Sequence, residues 1–189
     1  MSSFALKPSA TALVVVDVQD RLAAAMPESE RDTMIRNVSV LLEAARRLEI
    51  PVIVTEQYPK GLGPTVAPIR TKLNELSPSP SVIEKIDFDA CGNEAFNEAF
   101  NARGRGAVVL TGMEAHICVW QTARSLVARG AHVHVPFDAI CSRMPDNRRI
   151  AEDLLREAGA VVTTTETVLF DLLGRGEGEH FKAISKMLK

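Results

Sequence analysis

Aromatic side chains are scarce in this chain of 189 residues: seven Phe, one Tyr and one Trp, 5% in all. Few stacking platforms for bases are therefore on offer. Twenty-two basic residues stand against 24 acidic ones, a formal net charge of −2, and no long run has one sign. The positive footprint of a nucleic-acid binder is missing. Cysteine is rarer still. Cys91, Cys118 and Cys141 are an odd, widely spaced set without a CxxC pair. They define neither a disulfide framework nor a zinc site, and they suit a reducing compartment. No apolar run nears the roughly 20 residues of a membrane span. The run Ala12 to Val16 is too short for a signal peptide and stops at Asp17. The expectation is a cytoplasmic protein with no membrane and no nucleic-acid partner. Gly61-x-Gly63 and Gly104-x-Gly106 fall short of the full GxGxxG pattern, and no Walker sequence occurs.

What is present is the composition of one globular domain spanning 1–189: 46% hydrophobic residues and 24% charged ones. The hydrophobic rhythm alternates between two periods. Thr11 to Asp17 is a Val-rich run of the kind buried on both faces of a parallel sheet. Met34, Ile35, Val38, Leu41, Leu42, Ala45 and Leu48 recur at helical steps, with Ser29 and Asp32 spaced like a capping box at the start. Further strands are expected at Val52–Thr55, Ser81–Glu84, Ala107–Thr111, His132–Val135 and Ala160–Thr163. Helices are expected at Asn93–Ala102, Ile117–Arg129, Pro145–Ala158, Glu166–Leu173 and Glu179–Leu188, with Gly130 as a C-cap. Glu56 to Pro80, rich in Pro and Gly, reads as a long loop with a short helix near Pro68–Leu73. Strands alternating with helices predict an α/β fold, with a six-stranded, mainly parallel, doubly wound sheet and helices on both faces. Such sheets bind ligands beyond the C-terminal strand ends, at the switch point in strand order.

Asp17 ends the first strand, Lys85 ends the third, and Cys118 opens the helix after the fourth. If the first and fourth strands are neighbours, a carboxylate, an amine and a thiol converge on one sheet edge. Each has an ordinary role available: turn or cap, solvated lysine, small buried hydrophobe. Together they make coherent chemistry. A helix N-terminus lowers the pKa of a thiol placed there. Asp17 can take the thiol proton and return it to a leaving group, while Lys85 balances both anions. Backbone N–H groups at the helix start can receive an oxyanion.

Val16-Asp-Val-Gln19, Glu84-Lys85 and Thr111-Gly-Met-Glu-Ala-His-Ile-Cys-Val119, in this order and spacing, resemble the isochorismatase-like cysteine hydrolases. The resemblance runs from about Ser9 to Leu173 and is most similar to the isochorismatase domain-containing branch. It implies a Rossmann-like three-layer fold and a catalytic triad of Asp17, Lys85 and Cys118. It also implies a non-proline cis peptide at Met113–Glu114, aiming the Glu114 N–H, with that of Cys118, at an oxyanion. It suggests a homo-oligomer as well. Gln19 matches the Asp-x-Gln of the family and is expected, with Tyr58 and His116, at the substrate. Arg21 lies close by. The metal set of nicotinamidases, Asp-x-His and a later His, has no counterpart in Thr55–Gly63, which contains no His. Neither metal nor cofactor is expected.

His116 sits two residues before Cys118, a spacing that turns it away from the thiol. It reads as a pocket wall. His132 and His134 share a strand face without a third ligand, and Trp120, Cys91 and Cys141 read as structural. The activity expected is hydrolysis of a small amide or related carbonyl compound through a thioester acyl-enzyme. Two alternatives stand beside it: metal-free vinyl ether hydrolysis with Asp17 as acid, and a catalytically silent binding or scaffold protein.

Overall fold

The computed structural model describes residues 4–80 and 82–188. Among them the sheet is entirely parallel and has seven strands, β1 (Thr11–Val16), β2 (Val52–Gln57), β3 (Val82–Lys85), β4 (Ala107–Met113), β5 (His132–Pro136), β6 (Ile140–Cys141) and β7 (Val161–Thr163). The spatial order is β3-β2-β1-β4-β5-β7, with β6 on β4. Six strands were expected. The seventh, β6, is two residues long and carries no hydrophobic period. It pairs with Gly112 and Met113 beyond the point where the β4–β5 register ends at Val109. Ser81, the first residue of the expected third strand, lies outside the described residues.

The chain runs outward from β1 to β3, then returns to lay β4 against the free side of β1. The β1–β4 register is continuous from Thr11↔Ala107 to Val16↔Gly112. This reversal creates the switch point. It also meets the condition for convergence, because the strands that lead to Asp17 and Cys118 are neighbours.

Every residue of β1 is buried, because each face of the sheet is covered. Leu13 and Val15 pack with the stripe Met34, Val38, Leu41 and Leu42 of α2 (Glu28–Arg47), and with Leu169 and Ile184 of α8 (Thr165–Leu173) and α9 (Glu179–Met187). Val14 and Val16 face the other way. They meet Phe96 of α5 (Glu94–Arg103), Leu126 of α6 (Trp120–Ala128) and Leu155 of α7 (Pro145–Glu157). Three layers follow from that alternation.

Two local expectations are corrected. The start of α2 has no capping box: Pro27 is the N-cap, Ser29 lies inside the first turn, and no side chain caps it. Glu28 and Glu30 in the first turn, with Arg46 and Arg47 in the last, instead complement the helix dipole. A side-chain cap does appear on α5, where Asn93 accepts from the Phe96 N–H at 3.1 Å.

The segment after β2 is not a free loop. It contains α3 (Pro59–Leu62) and α4 (Ala67–Asn74), the latter near the short helix expected there. It is tied down at its base. Gln19 donates to the Gly63 carbonyl at 2.6 Å, Arg21 to the Gly61 carbonyl at 2.7 Å, and Glu56 accepts both the N–H and the hydroxyl of Thr65. Asp20, the first residue of α1 (Asp20–Ala24), donates its N–H to the Pro64 carbonyl.

Candidate active site

The chain leaves β1 through Asp17 in a left-handed conformation, φ 53°. A non-glycine residue is uncommon there, and Asp and Asn tolerate it best. The turn is fixed from both sides: the Asp17 N–H donates to the Thr55 carbonyl at 3.0 Å, and the Gln19 N–H donates to the Asp17 carbonyl at 2.8 Å. The Asp17 side chain is thereby delivered to the buried end of the sheet.

Lys85 ends β3 in register with Gln57. Its side chain and that of Asp17 are fully buried, with Nζ 2.7 Å from Oδ2. A second side chain, Gln57, accepts from Nζ through Oε1 at 2.8 Å, and the carbonyls of Asp87 and Phe88 lie at 3.2 and 3.3 Å. An ammonium has three N–H groups, and four acceptors surround this one. Lys85 is thus a fixed cation with no N–H to spare. The other Asp17 oxygen, Oδ1, accepts from the Thr55 hydroxyl at 2.7 Å.

Cys118 lies in a π-helical turn, Ala115–Val119, that precedes α6. The turn begins after a cis peptide at Met113–Glu114. Ile117 and Val119 both donate their N–H groups to the Glu114 carbonyl. The Cys118 thiol is buried close enough to the Asp17 carboxylate and the Glu114 backbone for both to act on its proton. The three residues singled out at the strand ends therefore meet.

The thiol is not activated in the way expected. Burial, together with the negative charge of Asp17, pushes Cys118 up to about 12, against a smaller opposing pull from Lys85 and the Glu114 backbone. The expected lowering at a helix N-terminus is corrected for two reasons. The residue sits in a π turn rather than on the first turn of α6, and the charge that acts on it most strongly is the Asp17 carboxylate. The resting site is a neutral thiol beside a carboxylate–ammonium pair.

Cys91 and Cys141 are raised as well, to about 12 and about 11, chiefly by burial. An unfolded chain loses these thiol protons near the ordinary value of 9.0, whereas the folded chain keeps them until about pH 11–12. Between those limits the unfolded state binds fewer protons, so stability falls as pH rises. Below pH 9 the contribution is complete. Denaturant midpoints at pH 8 and pH 10.5 are expected to show an alkaline loss that shrinks in Cys91→Ala. An equal loss in the variant would contradict this.

The remaining expected residues fall into different roles. Gln19 is buried and spends its whole amide on backbone: Nε2 donates to the Gln57 and Gly63 carbonyls, and Oε1 accepts the Gln57 N–H. It builds the site floor rather than presenting a group to a ligand. Tyr58 stands half-exposed at the end of β2, with its N–H on the Lys85 carbonyl and its ring against Gly61. His116 turns toward β6: Nδ1 lies 3.0 Å from the Ser142 hydroxyl and Nε2 3.3 Å from the Asn147 amide. Trp120 is half-buried, with the Arg124 guanidinium over its ring. Among the described residues, no group of three or more His, Cys, Asp or Glu side chains could hold a metal ion.

Thr55, Gln57 and Arg143 were not anticipated. Arg143 clamps the Glu114 carboxylate through its backbone N–H at 2.9 Å and its Nε at 3.0 Å, tying the turn to the segment after β6. Thr55 and Gln57 carried a readable signal. They are two apart, so they share a strand face at the polar end of β2, whose first three residues are apolar.

The chain is similar to known proteins over nearly its whole length. The isochorismatase domain model matches residues 11–167. The secreted isochorismatase effector Isc1 of Phytophthora sojae is 35% identical over 188 residues, covering 97% of this chain and 87% of that one. The MAR1 ribonuclease structure from Caenorhabditis elegans is 35% identical, with a TM-score of 0.88 over 97% of this chain and 92% of that one. YcaC from Pseudomonas aeruginosa, solved with hexane-2,5-diol and covalent acrylamide, is 25% identical, with a TM-score of 0.90 over 99% of this chain and 93% of that one. The chain belongs to the isochorismatase family, a membership that supports hydrolytic activity in the broad sense.

Proposed function

We propose that the chain is a cysteine-dependent hydrolase of a small amide or related carbonyl compound. The observation that carries this reading is the buried Asp17–Lys85 pair, with Nζ 2.7 Å from Oδ2, whose charges act on the buried Cys118 thiol at the neighbouring strand end. With the thiol neutral at rest, proton transfer accompanies attack. Asp17 takes the proton as Sγ bonds to the carbonyl carbon. The tetrahedral oxygen receives the Glu114 and Cys118 N–H groups. Collapse expels the amine, which takes the proton from Asp17 and leaves a thioester. Water, deprotonated by Asp17, then adds to the thioester, and the acid departs as the thiol regains its proton. The local charge count never changes, because each proton stays between Cys118, Asp17 and the reacting group. Lys85, without a spare N–H, acts by charge alone.

The capture of covalent acrylamide by YcaC supports an electrophile-accepting site on this fold. The test is a panel of small primary amides assayed with Cys118→Ala. Turnover is expected to fall to background. Amide turnover that persists without the thiol would remove the nucleophile from the mechanism, and isochorismate turnover that persists would favour vinyl ether hydrolysis.

Self-association belongs to the same reading. Val82, Ile86 and Phe88 are exposed apolar side chains on and just beyond the open edge of β3. They supply a surface for a second copy, and Ile86 and Phe88 lie within two residues of the carbonyls that hold Lys85. Light scattering is expected to give a mass above one chain, and Ile86→Glu to reduce it. A single-chain mass for the unaltered protein would refute the assignment.

A further inference from the structure

We infer that Gln57 is a positioning residue that sets where the Lys85 ammonium stands between Asp17 and the backbone; the inference rests on the hydrolase reading above. Lys85 Nζ has two side-chain acceptors among the described residues, Asp17 Oδ2 and Gln57 Oε1. The amide orientation of Gln57 is set by chemistry. Its Nε2 donates to the Ile86 carbonyl at 2.6 Å, so Oε1 faces the ammonium. A flipped amide would put its NH2 against Nζ and its oxygen against a carbonyl oxygen, both repulsive. The Gln57 backbone is equally constrained, since Gln19 accepts its N–H at 2.7 Å and donates to its carbonyl at 3.0 Å. Parallel pairing then sets Gln57 beside Lys85 in register.

The neutrality of this acceptor matters. With Gln, the site stays neutral through attack: as Asp17 takes the thiol proton, the Lys85 ammonium balances the negative charge developing on the reacting atoms. A carboxylate at position 57 would add one uncompensated negative charge beside Lys85 and oppose the anion that develops during attack. An apolar side chain would take away one of the four acceptors, leaving the ammonium to lean toward the Asp87 and Phe88 carbonyls and away from Oδ2. In either case Asp17 receives the thiol proton in a poorer geometry. A misplacement of about 1 Å can cost on the order of 10²-fold in rate.

Acrylamide is the probe, because it reports on the thiol without a known substrate. Cys118 Sγ bonds to the terminal alkene carbon, the C=C π bond breaks, and the thiol proton passes through Asp17 to the carbon next to the carbonyl. Nothing leaves. The adduct rate at each cysteine is read by peptide mass spectrometry across pH 6–10 in the full chain.

Gln57→Met is expected to slow the Cys118 adduct about 10- to 100-fold. Gln57→Glu is expected to slow it further and to move the rising limb of the pH profile upward. Slow adduct formation at buried Cys91 and Cys141 shows that each variant is folded. If Gln57→Met unfolds, Gln57→Glu carries the test. A folded variant with the wild-type rate and pH profile overturns the inference. The two claims separate cleanly. If Cys118 reacts no faster than Cys91, or if Asp17→Asn leaves it unchanged, the hydrolase reading itself has failed. If Asp17→Asn slows it and the Gln57 variants do not, only the role of Gln57 has failed.

Discussion

Exchanging Asp17 for Asn is expected to lower amide turnover and Cys118 alkylation by about 10²–10⁴-fold, the usual contribution of a placed general base. The size follows from the state of the thiol. Burial is the largest cause of the raised Cys118 pKa and persists when Asp17 is replaced, so the thiol stays protonated in the absence of a base. Without a carboxylate to take its proton, the thiol is a weak nucleophile. Asn is the informative replacement, because it tolerates the left-handed φ of 53° at this position. It also leaves Lys85 buried without a counter-charge, which costs on the order of 3–5 kcal/mol. Stability and activity can be separated with the double variant Asp17→Asn, Lys85→Met. Removing both charges is expected to restore part of the denaturant midpoint and none of the activity. Recovery of activity in that double variant would show that the carboxylate is not the base.

Gly112→Ala is expected to be the most damaging small change in the chain. Gly112 pairs with Val16 in the β1–β4 register, and its φ is 115°. An added Cβ would stand 2.0 Å from the Val16 carbonyl oxygen and 2.8 Å from both its carbonyl carbon and its nitrogen. These are backbone atoms at the centre of a sheet, so no side chain can swing aside. Backbone strain and overpacking each cost about 1–3 kcal/mol. A loss of roughly 4 kcal/mol follows from the two together, read as the shift in denaturant midpoint. Because Val16 precedes Asp17 and Gly112 lies two residues before Glu114, the same clash pushes the base away from the turn that carries the thiol. Activity per folded molecule is expected to fall as well. A variant within about 0.5 kcal/mol of wild type, the range of an ordinary surface change, would mean that β1 and β4 are not held as described.

Those two sites also mark what the sequence made legible. The Val-rich run Thr11–Val16 read as a strand buried on both faces, and it is one. Asp17, Lys85 and Cys118 stood out because each follows a readable strand, and sheet topology then brings strand ends together. The polar tail of β2 was harder. Thr55 and Gln57 look like the fading end of a strand until pairing sets Thr55 beside Val16, where its hydroxyl reaches Asp17, and Gln57 beside Lys85. The two-residue β6 has too few residues for a period, and the π turn at Ala115–Val119 leaves no compositional trace. The Pro- and Gly-rich stretch after β2 read as loose because two of its anchors, Gln19 and Arg21, sit elsewhere in the sequence. The raised thiol was out of reach for a related reason. Burial and the distance to a carboxylate are properties of the folded site, whereas motif spacing speaks only for the turn.

The central claim is that Cys118 forms the covalent intermediate. Its most direct test is rapid quenching of the wild-type protein during hydrolysis of p-nitrophenyl acetate, followed by peptide mapping. The account predicts an acetyl group on Cys118 that appears within the first turnover, decays with the hydrolysis rate, and is missing from Cys91 and Cys141. Hydrolysis that proceeds with no acyl group on Cys118, and continues in Cys118→Ala, would contradict it.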